Sequence, residues 1–255
     1  MATRIEKLEI LIDEERMAGT FLTPPNKVPG VLFVHGWGGS QERDLERARG
    51  IAGLGCVCLT FDLRGHMKNS PRQLSVTRDE NLRDLVAAYD CLHRHPAIDT
   101  RAIAVVGTSY GAYLSTILTT LRPVQWLSLR VPSLYRDEQW DLPKRQLDRD
   151  DLAEYRSRFV ASTENRALMA CLQFRGDVLI VESENDHLVP HATIMSYRAA
   201  FQNAHSMTHR VIDHADHALT DKAAQDAYTA ILVNWVTEMV VGARIGKGHR
   251  LSMPA

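Results

Sequence analysis

The chain has 255 residues, 45% of them hydrophobic and 24% charged, with a formal net charge of −1. That length suits a single α/β domain over 1–255 with enough apolar material for a substantial core. A near-zero net charge provides no electrostatic footprint for nucleic acid or for an anionic membrane surface. No run is long and apolar enough to span a bilayer, and the opening residues lack the continuous apolar core of a signal peptide. The four cysteines have neither C-x-x-C nor zinc-ligand spacing, and Cys56 and Cys58 fall on one face of an apolar run, as packing residues do. A reducing, cytoplasmic setting is the expectation, and oligomeric state stays open.

In chain order, residues 5–12 and 17–22 read as a hairpin of two strands across the charged turn 13–16. Pro-rich residues 23–29 are loop. Residues 30–34 are wholly apolar, as in a strand buried on both faces of a parallel sheet, and lead to His35-Gly36-Trp37-Gly38-Gly39. Ser40 is positioned to cap a helix reaching about Gly53. A second buried strand over 56–61 leads to the loop Asp62-Leu63-Arg64-Gly65-His66. Helical spacing over 79–93 ends before Pro96.

The apolar run 103–106 then ends in Gly107-Thr108-Ser109-Tyr110-Gly111, with a helix expected over 110–121. Residues 124–131 read as a strand closed by Pro132, and 132–162 as a charge-dense insertion with scattered aromatics. A helix over 163–174, a strand over 177–182, a helix over 190–201, a strand over 208–212 and a long helix over 219–241 follow. Residues 243–255 read as a basic, poorly ordered tail. Strands alternating with helices predict a doubly wound, mostly parallel sheet.

The turn at Ser109 carries the chemistry. A strand that reverses sharply into a helix leaves no room for side chains beside the serine, so Gly stands on both sides. The helix beginning there offers unpaired N–H groups where an oxyanion develops. Alone, Gly-x-Ser-x-Gly occurs by chance in roughly one chain of this length in ten. An ordinary glycine-rich turn is therefore the competing reading, and the serine needs a base and an orienting acid.

Asp186 follows one predicted strand and His217 follows the next, in the order serine, acid, histidine. His35, Ser109, Asp186 and His217 all lie just past strand ends, the rim where such sheets bind ligands. Among nearby rivals, His214, His187 and His191 read as surface, strand-end or helix-start residues and Asp216 as a turn residue, while Glu182 or Glu184 could also serve as the acid.

With these motifs together the chain resembles the α/β-hydrolase superfamily, and is similar to its serine esterases and prolyl-oligopeptidase-like members. His35–Gly39 matches the His-Gly-x-x-Gly loop, and Asp62–His66 the Asp-x-Arg-Gly-His loop. Asp99 and Arg101 stand ahead of the elbow strand; Asp186, Val189 and Pro190 match the acid loop, and His217 the terminal histidine. The resemblance spans residues 28–235 and departs at Ala112 and Met67, where the family has Gly.

The resemblance implies an α/β-hydrolase fold in which Ser109 is the nucleophile, His217 the base and Asp186 its orienting acid. It implies an oxyanion hole from the backbone N–H groups of Trp37 and Tyr110, a packing role for His35, and loop-bracing roles for Asp62 and Arg64. No metal or organic cofactor is required.

The insertion over 132–162 is long enough for one or two short helices, a small cap. Trp37, Tyr135 and Trp140 are candidate pocket residues; packing of Tyr135 and Trp140 onto the sheet is the alternative. The expected partner is a small-molecule acyl substrate, most simply a small or medium carboxylic ester. Peptidase, amidase or thioesterase chemistry on the same three residues is the alternative. A non-catalytic binding module is disfavoured because serine, acid and base are all present.

Overall fold

The computed structural model of the protein describes residues 4–12, 15–23, 28–66 and 70–250. Strands β1 (Arg4–Ile12), β2 (Glu15–Thr23), β3 (Val28–Val34), β4 (Val57–Phe61), β5 (Ile98–Thr108), β6 (Trp126–Arg130), β7 (Asp177–Ser183) and β8 (Ser206–Ile212) form one sheet ordered β1-β2-β4-β3-β5-β6-β7-β8. β1 and β2 pair antiparallel, as does β2 with β4, and all later pairings are parallel. The doubly wound, mostly parallel α/β architecture is therefore the observed one.

Composition explains the strand positions. β3, β4 and β7 are buried at every residue, as strands covered on both faces must be. β1 and β8, at the two edges, are mostly exposed and carry charged or polar side chains. The helices α1 (Glu42–Gly53) and α7 (Lys222–Arg250) cover one face. The other face is covered by α2 (Arg78–His93), α3 (Tyr110–Leu118), α5 (Arg166–Gln173) and α6 (His191–Ala200). Cys56 and Cys58 pack together in the core on the α1/α7 side. No helix among the described residues is long and apolar enough to cross a membrane.

Two boundaries differ from expectation for identifiable reasons. α1 begins at Glu42 after Gln41, without a side-chain cap, so Ser40 does not cap it. Asp62, from the loop after β4, instead accepts the Gln41 N–H at 2.8 Å and its side-chain amide at 2.8 Å. Residues 243–250, expected to be an unordered tail, continue α7 to Arg250. With no proline before Pro254, each added residue gains a backbone hydrogen bond and the helix propagates. The last five residues of that tail, the turn residues 13–14, loop residues 24–27 and Met67 lie outside the described residues.

α2 starts on a capping box. Thr77 Oγ1 accepts the Glu80 N–H at 3.2 Å, while the Glu80 carboxylate accepts the Thr77 N–H at 2.9 Å. The insertion over residues 132–162 holds one α-helix, α4 (Arg149–Ser157), and short 3-10 turns. Its dense charge is organised rather than merely solvated. Arg136 pairs with Asp151 at 3.0 Å and stacks over Tyr155, and Arg166 pairs with Asp137.

Registers fix which residues share a rim. Val34 aligns with Gly107, Thr108 with Arg130, Arg130 with Val181, and Ser183 with Ile212. The loops that follow these strands therefore emerge side by side. Strand order reverses between β4 and β5 on either side of β3, and the crevice at that switch point is where ligands bind in such sheets.

Candidate active site

Ser109 sits at the switch point with φ 52° and ψ −111°, a sparsely populated conformation for a residue with a side chain. Its neighbours over-determine that strain. A Cβ on Gly107 would lie 2.5 Å from Ala112 Cα, and one on Gly111 would lie 2.3 Å from the Val34 carbonyl oxygen. The Ser109 N–H donates to Arg130 O at 2.8 Å, which ties the turn to the end of β6. The serine is 8% exposed and lines a cavity of about 900 Å³ together with His217, Trp37 and Tyr135.

His217 and Asp186 meet behind that cavity. His217 Nδ1 is 2.6 Å from Asp186 Oδ2, and the other carboxylate oxygen accepts the N–H groups of Leu188 (2.8 Å) and Val189 (2.9 Å). Those N–H groups hold the carboxylate in one orientation, which in turn sets the imidazole plane with Nε2 facing away from the acid. Arg130 Nη2 donates to the His217 carbonyl at 3.0 Å and pins the loop.

The rivals are engaged elsewhere. His214 is exposed and paired with Glu184 at 3.2 Å, and Glu182 lies between His191 and His209. Asp216 accepts from Thr220, and His187 stands exposed at the cavity rim.

Ser109 Oγ is not hydrogen-bonded to His217 in this conformation. Its partner is Ser133 Oγ, at 2.9 Å. Ser133 is held at three points: its N–H donates to Ser109 O (3.1 Å), its carbonyl accepts from Tyr197 Oη (2.7 Å), and it follows Val131, strained at φ 40°. A β-branched residue at positive φ is a genuine outlier and marks a loop whose path is dictated by its surroundings. Nothing in the sequence singled out Ser133; its one signal was the same post-strand position that pointed to the other site residues.

Because Ser109 Oγ is engaged by Ser133 rather than by His217, Ser133→Ala is expected to speed labelling of Ser109 by a fluorophosphonate. Releasing one such bond, at about 1 kcal/mol, gives a gain of up to roughly 5-fold. A fall in labelling rate would show that Ser133 assists the attack instead.

The loop after β3 presses against the elbow. A Cβ on Gly36 would lie 3.4 Å from Ser109 Cβ, so the adjacent Trp37 backbone stands beside the serine. His35 is buried under this loop: its Nε2 accepts the Leu63 N–H at 3.0 Å, so Nδ1 carries the proton facing Gly36 O at 2.8 Å. Tyr110 opens α3, and its N–H is among those a helix leaves without an intrahelical acceptor. The Tyr110 ring is fully buried and structural, and its hydroxyl donates to Asn81 Oδ1 at 3.0 Å.

That same Asn81 oxygen faces His66 Nε2 at 3.0 Å, and His66 Nδ1 accepts the Gly38 N–H at 3.2 Å. Asn81 Nδ2 donates to Arg64 O (3.0 Å) and Asp84 Oδ2 (3.1 Å), while Arg64 Nε pairs with buried Asp84. His66, Asn81 and the Arg64–Asp84 pair thus brace the Trp37 loop from behind, an arrangement spread over α2 and two loops. Asp62 braces Gln41, as described above.

Burial, reinforced by the neighbouring His35, lowers the His66 imidazole from 6.5 to about 3. It stays neutral near neutral pH, as its accepting Nδ1 requires. Below pH 6.5 the unfolded chain takes up a proton that the folded one refuses, so stability from this group is complete above 6.5 and is lost as pH falls. The loss approaches ~1.4 kcal/mol per pH unit. Urea unfolding at pH 7 and pH 5 is therefore expected to show about 2 kcal/mol more acid loss in the wild type than in His66→Gln. Equal acid losses would contradict a neutral, buried His66.

Tyr135 lines the cavity, but Trp140 does not. The Trp140 indole N–H faces Asp79 Oδ1 at 3.4 Å, and its ring is covered by Arg166 (4.1 Å) and by the fully buried Arg78 (5.5 Å). Trp140 therefore pins the insertion onto α2, because these cations and the acid at the start of α2 engage its ring and its N–H.

A strained serine turn at the switch point of a parallel sheet, with a histidine–aspartate pair on the same rim, defines an α/β-hydrolase fold. The chain belongs to the alpha/beta hydrolase family, whose sequence profile matches residues 31–230. An uncharacterized protein of Mycobacterium tuberculosis (strain H37Rv) is 32% identical over 122 residues, 47% of this chain and 42% of the relative. The match thus spans well under half the length of that relative.

Among solved structures, the Butyrivibrio proteoclasticus Est1E with ferulic acid bound superposes with TM-score 0.72 at 17% identity, over 92% of this chain and 99% of that one. The Anabaena variabilis dienelactone hydrolase gives 0.68 at 20% identity, over 92% and 98%. The Pyrococcus horikoshii acylaminoacyl peptidase gives 0.70 at 13% identity, over 92% of this chain and 41% of that one. At these identities the likeness concerns the fold.

Proposed function

We propose that the protein is a serine hydrolase that cleaves a small or medium carboxylic ester through an acyl-enzyme. The observation that carries this reading is the His217 Nδ1–Asp186 contact of 2.6 Å on the rim that also presents Ser109 into the shared cavity. Turning about its Cα–Cβ bond releases Ser109 Oγ from Ser133 toward His217 Nε2. The serine then attacks the acyl carbon while the imidazole takes its proton, and Asp186 stabilises the imidazolium formed.

The tetrahedral oxyanion is received by the N–H groups of Tyr110 and Trp37, each worth about 3 kcal/mol of transition-state stabilisation in comparable sites. Collapse of the intermediate expels the alkoxide, which takes the proton from His217. Water, deprotonated by the same imidazole, then attacks the acyl-serine and returns the free enzyme and a carboxylic acid.

The cavity volume and the small cap favour a modest substrate. The names of the structural neighbours include both a dienelactone hydrolase and an acylaminoacyl peptidase, so amide hydrolysis is the second reading. A panel of matched esters, thioesters and amides, assayed with wild type and Ser109→Ala, tests the assignment. Ester turnover abolished by the substitution supports it; amide turnover equal to that of matched esters would favour the second reading, and no turnover of any substrate would refute both.

A further inference from the structure

The cap-side wall of the cavity carries two cations withdrawn from solvent that no carboxylate neutralises, Lys144 and Arg156; Arg149, on the same wall, is exposed. Arg156 is 8% exposed; its Nε donates to Leu134 O (2.9 Å) and its Nη1 to Leu188 O (3.1 Å), while buried Nη2 has no partner among the described residues. Lys144 is half-buried, with Nζ 4.2 Å from the centre of the Trp37 ring and 5.5 Å from that of Tyr135. Arg156 faces the same Tyr135 ring at 4.7 Å. Among the described residues neither cation has an acid within ion-pair distance, and both line the cavity that holds Ser109.

On the opposite wall Arg47 is paired with Asp44 at 3.4 Å and Arg43 donates to Ala218 O, while buried Arg130 is engaged through Nη2 with the His217 carbonyl at 3.0 Å and leaves Nη1 without a partner among the described residues. Burial alone would raise the Tyr135 phenol, yet Lys144 and Arg156 hold it below its ordinary value, so their fields converge at its hydroxyl. Aromatic faces recover only part of what a cation loses on leaving water. An uncompensated buried charge is costly, and an oxyanion brought by a ligand supplies the countercharge that the Tyr135 hydroxyl does not and satisfies the free Arg156 Nη2.

We propose that Lys144 and Arg156 form an anion subsite beside Tyr135, and that the natural substrate carries a carboxylate or phosphate group in addition to its scissile bond. This inference rests on the hydrolase reading for its substrate, but not for its binding chemistry.

The test uses pairs of esters that differ only in charge. Mono-4-nitrophenyl adipate and its methyl ester place the anion on the acyl side. 4-Carboxyphenyl acetate and its methyl ester place it on the leaving group, and a phosphonate analogue of each separates the two oxyanions. At least one anionic member is expected to exceed its neutral twin in kcat/KM by about tenfold or more. Lys144→Met should bring that ratio near unity, and Lys144→Arg should restore it. Arg156→Lys, which keeps the charge needed near Leu134 and Leu188, should lower it without unfolding the cap.

Equal or better turnover of every neutral twin would overturn the subsite, as would an anion preference that survives in the Lys144→Met/Arg156→Lys double variant. Calorimetry on Ser109→Ala with adipate monoanilide and its methyl ester reads the same preference without turnover. If the carboxylate binds more tightly through Lys144 in a protein that cleaves no ester, the hydrolase reading fails and the subsite stands. If neutral esters are cleaved and both anilides bind alike, only the subsite fails.

Discussion

Ser109→Ala is expected to lower kcat on the best ester by on the order of 10⁵-fold or more, with little change in KM. The alanine keeps the elbow's backbone and the proposed oxyanion donors, so on the proposed mechanism binding survives while the covalent route is lost. His217→Ala should cost a similar factor, and the double variant should be no worse than either single one, because serine and base act as one unit. Asp186→Asn should leave the fold intact and still lose about 10⁴-fold, since an amide facing His217 Nδ1 selects the wrong tautomer. Steady-state kinetics measure these effects, and peptide mapping after fluorophosphonate labelling locates the nucleophile. Strictly additive losses, or label on a residue other than Ser109, would overturn the assignment.

Gly111→Ala is expected to destabilise the fold by about 3 kcal/mol or more, the upper range for overpacking. The new methyl would stand 2.3 Å from Val34 O and 2.4 Å from His35 O. Both are backbone atoms at the end of β3, which is hydrogen-bonded on both sides within the sheet and cannot swing aside. Either α3 lifts from the rim or the His35–Trp37 loop rotates, and both movements displace a proposed oxyanion donor. Activity should therefore fall together with stability. Gly53→Ala is the control: nothing lies within 4 Å of its position near the end of α1. Helix propensity there predicts a neutral change or a gain of up to about 1 kcal/mol. Urea unfolding curves compare the two, and equal midpoints would show that the elbow tolerates a side chain.

Several determinants were already present in the order of residues. Residues 30–34 and 56–61 could only be strands covered on both faces, because continuous short apolar runs have no solvent side to offer. The glycines at 107 and 111, the serine between them, and Asp186 and His217 past later strands together specified a rim and the three groups that share it. Strand alternation with helices determined that these distant positions would meet.

Only the tertiary structure decided how the remaining side chains are used. Ser133 faces Ser109 because β6 lies beside β5 and Val131 is forced to positive φ. His66 and Asn81 brace the Trp37 loop from positions 15 residues apart in the chain. Trp140 faces α2 rather than the cavity, while Lys144 and Arg156, drawn from the same charge-rich insertion, face inward. Periodicity is a local signal, and it is strong where an element repeats one face against a core. In an irregular insertion each orientation depends on partners 20 to 60 residues away, such as Leu134 for Arg156 and Asp79 for Trp140. No local pattern encodes those contacts, so the placing of Ser109, Asp186 and His217 on one rim was legible in the sequence while the charge lining of the cavity was not.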